Sequence, residues 1–177
     1  MKIFIAGARA ITKFDDNVTN KLSSICEKGY GVLVGDASGV DSSVQKFYAD
    51  MNYNNVTVFA SNGIARNNIG NWNVENIVAK GQGFDFYKQK DIAMANQTDY
   101  GFMIWNGESR GTLNNIINLI EQDKTCVVYL LSNRKFFTIK NQDDLLNLLN
   151  FCPHSATATY NKLTQTKVSP LAQIALF

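Results

Sequence analysis

The chain has 177 residues, 45% of them hydrophobic and 18% charged, with a formal net charge of +2. That length suits one core able to fold unaided, and the charge is too small to mark a basic nucleic-acid surface by itself. No run approaches the ~18 apolar residues of a membrane span, and the first residues carry neither a charged lead nor a cleavage site, so a soluble cytoplasmic protein is expected.

Residues 2–6 read as a short buried strand, and 15–28 as a helix with Val18, Leu22 and Ile25 on one face. Residues 31–35 predict a second strand, leading to a helix over 40–51 with Val44, Phe47 and Tyr48 at core spacing. A third strand follows at 56–60. The Asn- and Gly-rich stretch 61–82 breaks this rhythm and reads as a long functional loop. Helix 84–97, with Tyr87, Asp91 and Met94 near one line, delivers the chain to a fourth strand at 100–105; a helix over 113–123 and a fifth strand at 125–131 follow. Strands alternating with single helices predict an α/β fold, a Rossmann-like doubly wound parallel sheet of about five strands with helices on both faces. An edge strand at 136–139 and a short helix at 142–151 complete a domain over residues 1–152. Residues 153–177 read as a polar, Thr-rich tail ending in an apolar peptide. Cys26, Cys126 and Cys152 are widely spaced and odd in number, the pattern of small core residues in a reducing compartment.

Three predicted strands open through glycine toward a helix, where unpaired backbone N–H groups at the positive end attract an anion, most often a phosphate. The first corner is Gly7-Ala8-Arg9, in which Arg9 supplies a charge-assisted fork. In the second, Gly35 and Gly39 free the backbone while Asp36, Ser38 and Asp41 offer polar groups; Asp41 also suits a purely structural role against the helix dipole. The third runs through Gly107, Glu108, Ser109, Arg110, Gly111 and Thr112, with the Ser109 and Thr112 hydroxyls suited either to a phosphate or to capping the helix. No Gly-Lys-Ser/Thr closes this corner, so it is not a Walker loop, and no cofactor is expected. In the long loop, Trp72 is a candidate for stacking on a base, Asn67, Asn71 and Asn73 for reading its edges, and Arg66 for a phosphate. Tyr87 and Lys88 are further candidates. His154 stands without metal-ligand companions, and no metal site is expected.

These corners, with Asp91 and Met94-Ala95 before the strand that ends at Trp105, resemble the SLOG superfamily over roughly residues 1–131. That group of Rossmann-like proteins embraces the "lonely guy" phosphoribohydrolases and the DNA-processing protein A fold. The resemblance implies a nucleotide or nucleotide-derived ligand and a homodimer. In the lonely-guy hydrolases Gly-Thr is followed by an acidic pair that assists N-glycosidic cleavage, whereas Asn114 and Asn115 follow Gly111-Thr112-Leu113 here. An amide neither carries the negative charge that steadies an oxocarbenium-like sugar nor acts as a base. The leading expectation is therefore a nucleotide sensor or accessory protein. An N-glycosidase acting on a nucleoside monophosphate is the alternative, with Glu108 or Asp91 as its carboxylate and Glu75 as a further substitute.

The last five residues, 173–177, are similar to the bacterial sliding-clamp-binding peptide. Leu176 and Phe177 suit an apolar pocket and the Gln173 amide its rim, with the polar segment before them as a tether. A clamp partner in DNA metabolism is the expectation, against a last element that folds back on its own domain.

Overall fold

A computed structural model describes residues 1–165. In chain order it contains β1 (Lys2–Gly7), α1 (Asp16–Glu27), β2 (Gly31–Gly35), α2 (Val40–Asp50), β3 (Val56–Ser61) and β4 (Asn73–Ile77). These are followed by α3 (Gly83–Gln97), β5 (Tyr100–Trp105), α4 (Arg110–Ile120), β6 (Cys126–Leu130), β7 (Lys135–Ile139), α5 (Gln142–Leu149) and α6 (His154–Gln165). The strands form a 7-stranded sheet in the order β4-β3-β2-β1-β5-β6-β7. All neighbours pair in parallel except β6 and β7, which are antiparallel. This is the predicted doubly wound α/β fold, in which the five expected strands and the expected edge strand, β7, are joined by β4.

Central strands are covered on both faces, which is why β1 and β5 are near-continuous apolar runs. Ile5 on β1 lies opposite Val34 of β2 on one side and Phe102 of β5 on the other. Val18, Leu22 and Ile25 of α1 join Val40, Val44 and Tyr48 of α2 in the core with Ile5 and Val34. Phe4, Met103 and Trp105 point the opposite way, into a core shared with Met94 of α3, Ile116 of α4, Leu148 of α5 and Tyr160 of α6. Alternation along each strand thus feeds two cores from one sheet. Local chemistry fixes several helix starts: the Asp15 carboxylate accepts from the Val18 N–H at 3.2 Å, and the Asn141 amide oxygen from that of Asp144 at 2.9 Å.

The structure corrects the sequence reading in two places. Residues 73–77, expected within a loop, form β4, which pairs only with β3. An edge strand with two exposed faces needs little apolar sequence, so Val74 and Ile77 alone did not mark it. Residues 154–165, expected as part of a polar tail, form α6, which buries Ala156, Tyr160 and Leu163 in the core. Gln142 Nε2 donates to the Tyr160 hydroxyl at 2.7 Å and ties α6 to α5. The peptide 173–177 lies outside the described residues. Among the described residues, no helix is long and apolar enough to cross a membrane.

Candidate functional site

The chain winds outward from β1 to β4, then returns across the sheet so that β5 pairs with the other side of β1. At such a switch point the loops after the two strands diverge and leave a crevice at their carboxyl ends, where ligands of open α/β sheets bind. Here that crevice is a 330 Å³ cavity walled by Gly7 at the end of β1 and Arg9 just after it, Tyr87, Lys88 and Asp91 of α3, and the first turns of α4. Its volume falls within the ~300–1,000 Å³ of small-molecule pockets.

Of the residues expected to bind a nucleotide, the crevice gathers Gly7, Arg9, Asp41, Ser109, Gly111 and Thr112, together with Asp91. Arg9 lies over the Tyr87 ring, 5.1 Å from its centroid, and Arg66 is 5.2 Å from the same ring. Gly39 is required beneath Arg9: its φ is +83°, and a β-carbon there would collide with the Arg9 backbone. The corner after β5 is more self-satisfied than its sequence implies. Asn106 Oδ1 accepts from the N–H groups of Glu108 at 3.1 Å and Ser109 at 3.0 Å, and the Ser109 hydroxyl accepts from those of Thr112 at 3.4 Å. Ser109 is thus the N-cap of α4. Gly111, in the first turn, has no intrahelical acceptor for its N–H and lines the crevice.

The corner after β2 does something else. Asp36 is buried, and its carboxylate accepts from Arg66 Nη2 at 2.7 Å, Arg66 Nε at 3.1 Å and Lys90 Nζ at 3.2 Å. The Arg66 backbone N–H adds a further bond at 3.1 Å. Burial opposes the charge, but the Arg66 hydrogen bonds and the Lys90 charge outweigh it and hold the carboxyl well below the ordinary range. Lys90 Nζ also lies 4.0 Å from Asp41 Oδ2, so one buried ammonium spans two corner carboxylates. Burial pushes Asp41 upward, against the Lys90 charge. Gly35 is the space for this cluster, since a β-carbon there would strike Asp41 and Lys90. Gly35, Asp36 and Asp41 therefore build the floor of the site, and the expected backbone approach to a ligand at Gly35 is filled by protein.

Several other expected residues lie away from the crevice. Ala8 is buried, its N–H donating to the Ile104 carbonyl at 3.2 Å; Ser38 is exposed; Gly107 packs near Pro153 and Cys152. Glu108 is exposed and does not line this crevice. Glu75, on β4, accepts from Gln97 and is not part of it either. The Arg110 guanidinium stacks on Phe84 at 3.9 Å from the ring centroid. Trp72, expected to stack on a base, is 8% exposed and donates from Nε1 to the Tyr53 carbonyl at 2.9 Å. Asn67, expected to read a base edge, donates to the Asp36 carbonyl at 2.8 Å, while Asn68 bonds both the N–H and the carbonyl of Trp72. A loop crossing the end of a sheet has no ladder to satisfy its peptides, and side-chain amides carry both a donor and an acceptor to do so. Asn67 and Asn68 are thus structural, whereas Asn71 and Asn73 are exposed.

Sequence reasoning missed several members of the site, among them Phe84, Lys90 and Asn115. Lys90 stands one turn before Met94 on the core face of α3, a charge in an apolar line that the spacing could have flagged. Asn115 belongs with Asn114 and Asn118 to a buried polar series on the otherwise apolar α4. Asn115 hydrogen-bonds Asp91, and burial, helped by the nearby Asp41 and opposed by Lys90, pushes the Asp91 carboxyl up to about 6.

That value sets a pH dependence. Asp91 titrates at about 6 in the folded state and near its ordinary 3.8 when unfolded, so on acidification the folded protein gains its proton first. Stability therefore rises by about 1 kcal/mol between pH 7 and 5 and levels off below about pH 4. Asp36 has the opposite sign: its contribution is complete above about pH 4 and is lost on further acidification. Calorimetric Tm should rise from pH 7 to 5 in the natural sequence and stay flat in Asp91→Asn over the same interval.

The order of strands, the crevice at the switch point and the helices on both faces define a Rossmann-type α/β protein. Among solved structures the chain is similar to DNA processing protein A from Helicobacter pylori, a protein described for its single-stranded DNA binding mode. The two share 16% identity and superpose with a TM-score of 0.61 over 94% of this chain and 81% of that one, a likeness of fold. No protein-family model matches the chain, and no curated protein does.

Proposed function

We propose that this protein binds a nucleotide in the crevice between β1 and β5 and acts by recognition, as a sensor or accessory protein. The carrying observation is the meeting of Arg9, Lys88 and the first turn of α4 around one 330 Å³ cavity at the switch point. A phosphate there gains the Arg9 guanidinium and the positive end of a helix, and draws on the Lys88 ammonium in competition with the exposed Asp85, which Lys88 Nζ meets at 2.6 Å. Tyr87 and Phe84 supply apolar surface for the remainder of the ligand. Asp91 is the acid left for the glycosidase alternative, because Asn114 and Asn115 follow Gly111-Thr112-Leu113 and Glu108 is outside the cavity.

The test is a panel of nucleoside monophosphates and diphosphates, with unphosphorylated nucleosides as controls, followed by thermal shift and calorimetry. At ~100 times the dissociation constant, linkage predicts a stability gain of about 2.7 kcal/mol. Arg9→Met should weaken binding ~10-fold or more without moving the Tm of the free protein, since Arg9 is exposed. No shift with any phosphorylated nucleotide at ~1 mM overturns the reading. Release of free base during the titrations, lost in Asp91→Asn, would favour the glycosidase instead.

A single nucleic-acid strand is a second reading, favoured by the Arg9–Tyr87–Arg66 stack that carries charge and aromatic surface out of the crevice. The fold likeness to a protein described for single-stranded DNA binding supports it. An oligonucleotide binding at least ~10-fold tighter than its mononucleotide, with the gain lost in Arg66→Met, would select it.

A further inference from the structure

β4 ends the sheet: it pairs with β3, and among the described residues no strand pairs with its outer side. Successive residues of a strand turn their peptide groups to opposite sides, so alternate residues face β3 and solvent. The Ile77 carbonyl accepts from the Asn62 N–H at 3.1 Å, and the Asn62 side chain bonds both the N–H of Ala79, at 2.7 Å, and its carbonyl, at 2.6 Å. Ile77 and Ala79 therefore face inward, which leaves the peptide groups of Val74, Asn76 and Val78 on the outer side. An amide side chain closes this row at each end. Asn68 bonds the N–H of Trp72 at 3.0 Å and its carbonyl at 2.8 Å, and Gln89 does the same for Lys80 at 3.1 Å and 2.6 Å. Natural edges are blunted by lysine, proline or a bulge, as β7 is by Lys135. Residues 73–79 hold one charge, Glu75, which accepts from Gln97 of α3, and they leave Val74 36% and Val78 82% exposed.

The strand that fits this row is the row itself, turned about a two-fold axis and laid antiparallel. Centred on Val74, such a pairing sets Asn76 against Trp72, whose peptide groups Asn68 already holds. Centred on Glu75, it sets two like charges face to face, which is destabilising. Centred on Ile77, it sets Val74 against Lys80, which Gln89 closes. Centred on Asn76, every open residue meets an open one: Asn76 faces Asn76 and Val74 faces Val78, and each opposed pair exchanges both its N–H···O bonds. Residues two apart share a face, so the exposed valines of the two copies meet on one side of the joint, and Glu75 lies opposite Ile77.

We propose that β4 is the interface of a symmetric dimer, formed with a second copy of this chain by antiparallel pairing centred on Asn76, so that one sheet runs through both copies. The partner strand runs the opposite way, so the two crevices open at opposite ends of that sheet, and the dimer forms with or without a nucleotide. Sedimentation equilibrium of the full chain should show a dimer at ~50 μM. Hydrogen exchange at that concentration should find the Val74, Asn76 and Val78 amides protected, with protection falling ~10-fold or more on dilution to the monomer. Val78→Lys, at an exposed position, should leave the fold and its circular dichroism unchanged and weaken the dimer ~100-fold, since the symmetry counts the substitution twice. Adding Val74→Glu to it sets opposite charges face to face in this register alone, and should return the affinity to within ~10-fold of the natural sequence. A monomer at ~50 μM overturns the proposal. So does an oligomer that Val78→Lys leaves intact, one in which these amides exchange freely, or a loss that Val74→Glu does not reverse.

Discussion

Asp36→Ala should lower the free energy of unfolding by about 3–5 kcal/mol, the cost of removing one partner from a buried ion pair. The Asp36 and Lys90 side chains are each 4% exposed, and without the carboxylate Lys90 and Arg66 lose their common counter-charge. Asp41, 4.0 Å from Lys90 and held toward its neutral form by burial, is a poor replacement. Urea denaturation followed by circular dichroism reads the effect directly. Arg66→Met should cost much less, because the Arg66 side chain is 43% exposed and water takes over part of its solvation. An Asp36→Ala variant within ~1 kcal/mol of the natural sequence would show that the cluster is not the buried keystone described above.

Trp72→Ala should cost a similar amount, about 3–5 kcal/mol, through the cavity left by a buried indole and the loss of its bond to the Tyr53 carbonyl. The indole is closely surrounded: a β-carbon at Gly70 would already collide with the ring. Since Trp72 does not line the crevice, nucleotide affinity measured well below the lowered Tm should stay within ~2-fold of the natural sequence. A large loss of affinity with unchanged stability would restore Trp72 as a base-stacking residue. The two variants together separate the scaffold of the site from its ligand-facing surface.

The apolar strands at 2–6, 31–35, 56–60 and 100–105 were legible because a strand buried on both faces must be apolar throughout, and few other elements that short are. The sequence narrowed the cap of α4 to Ser109 or Thr112, since a helix start needs a local acceptor, and the structure selects Ser109, whose hydroxyl accepts from the Thr112 N–H. β4 escaped because an edge strand owes its existence to the partner β3 rather than to its own pattern. α6 escaped because its Thr-rich composition masked the spacing of Ala156, Tyr160 and Leu163, which is that of one helical face.

At the site the division is sharper. Local sequence determined that glycine corners would follow β1, β2 and β5. After β2 and β5 the strand runs into a helix at Val40 and Arg110, where the short turn needs backbone freedom or room, whereas after β1 the chain reaches α1 only at Asp16 and the first corner is a loop rather than a helix start. Which corner stays open and which is filled was decided only by tertiary structure. Lys90 lies 54 positions from Asp36, and their bond closes the second corner; Asp91 and Asn115 come from different helices, and their pair borders the open crevice. A residue's charge is written in the sequence, but whether that charge faces a ligand or a buried counter-ion depends on distance and dielectric, and those exist only once the sheet has brought α3 and α4 together.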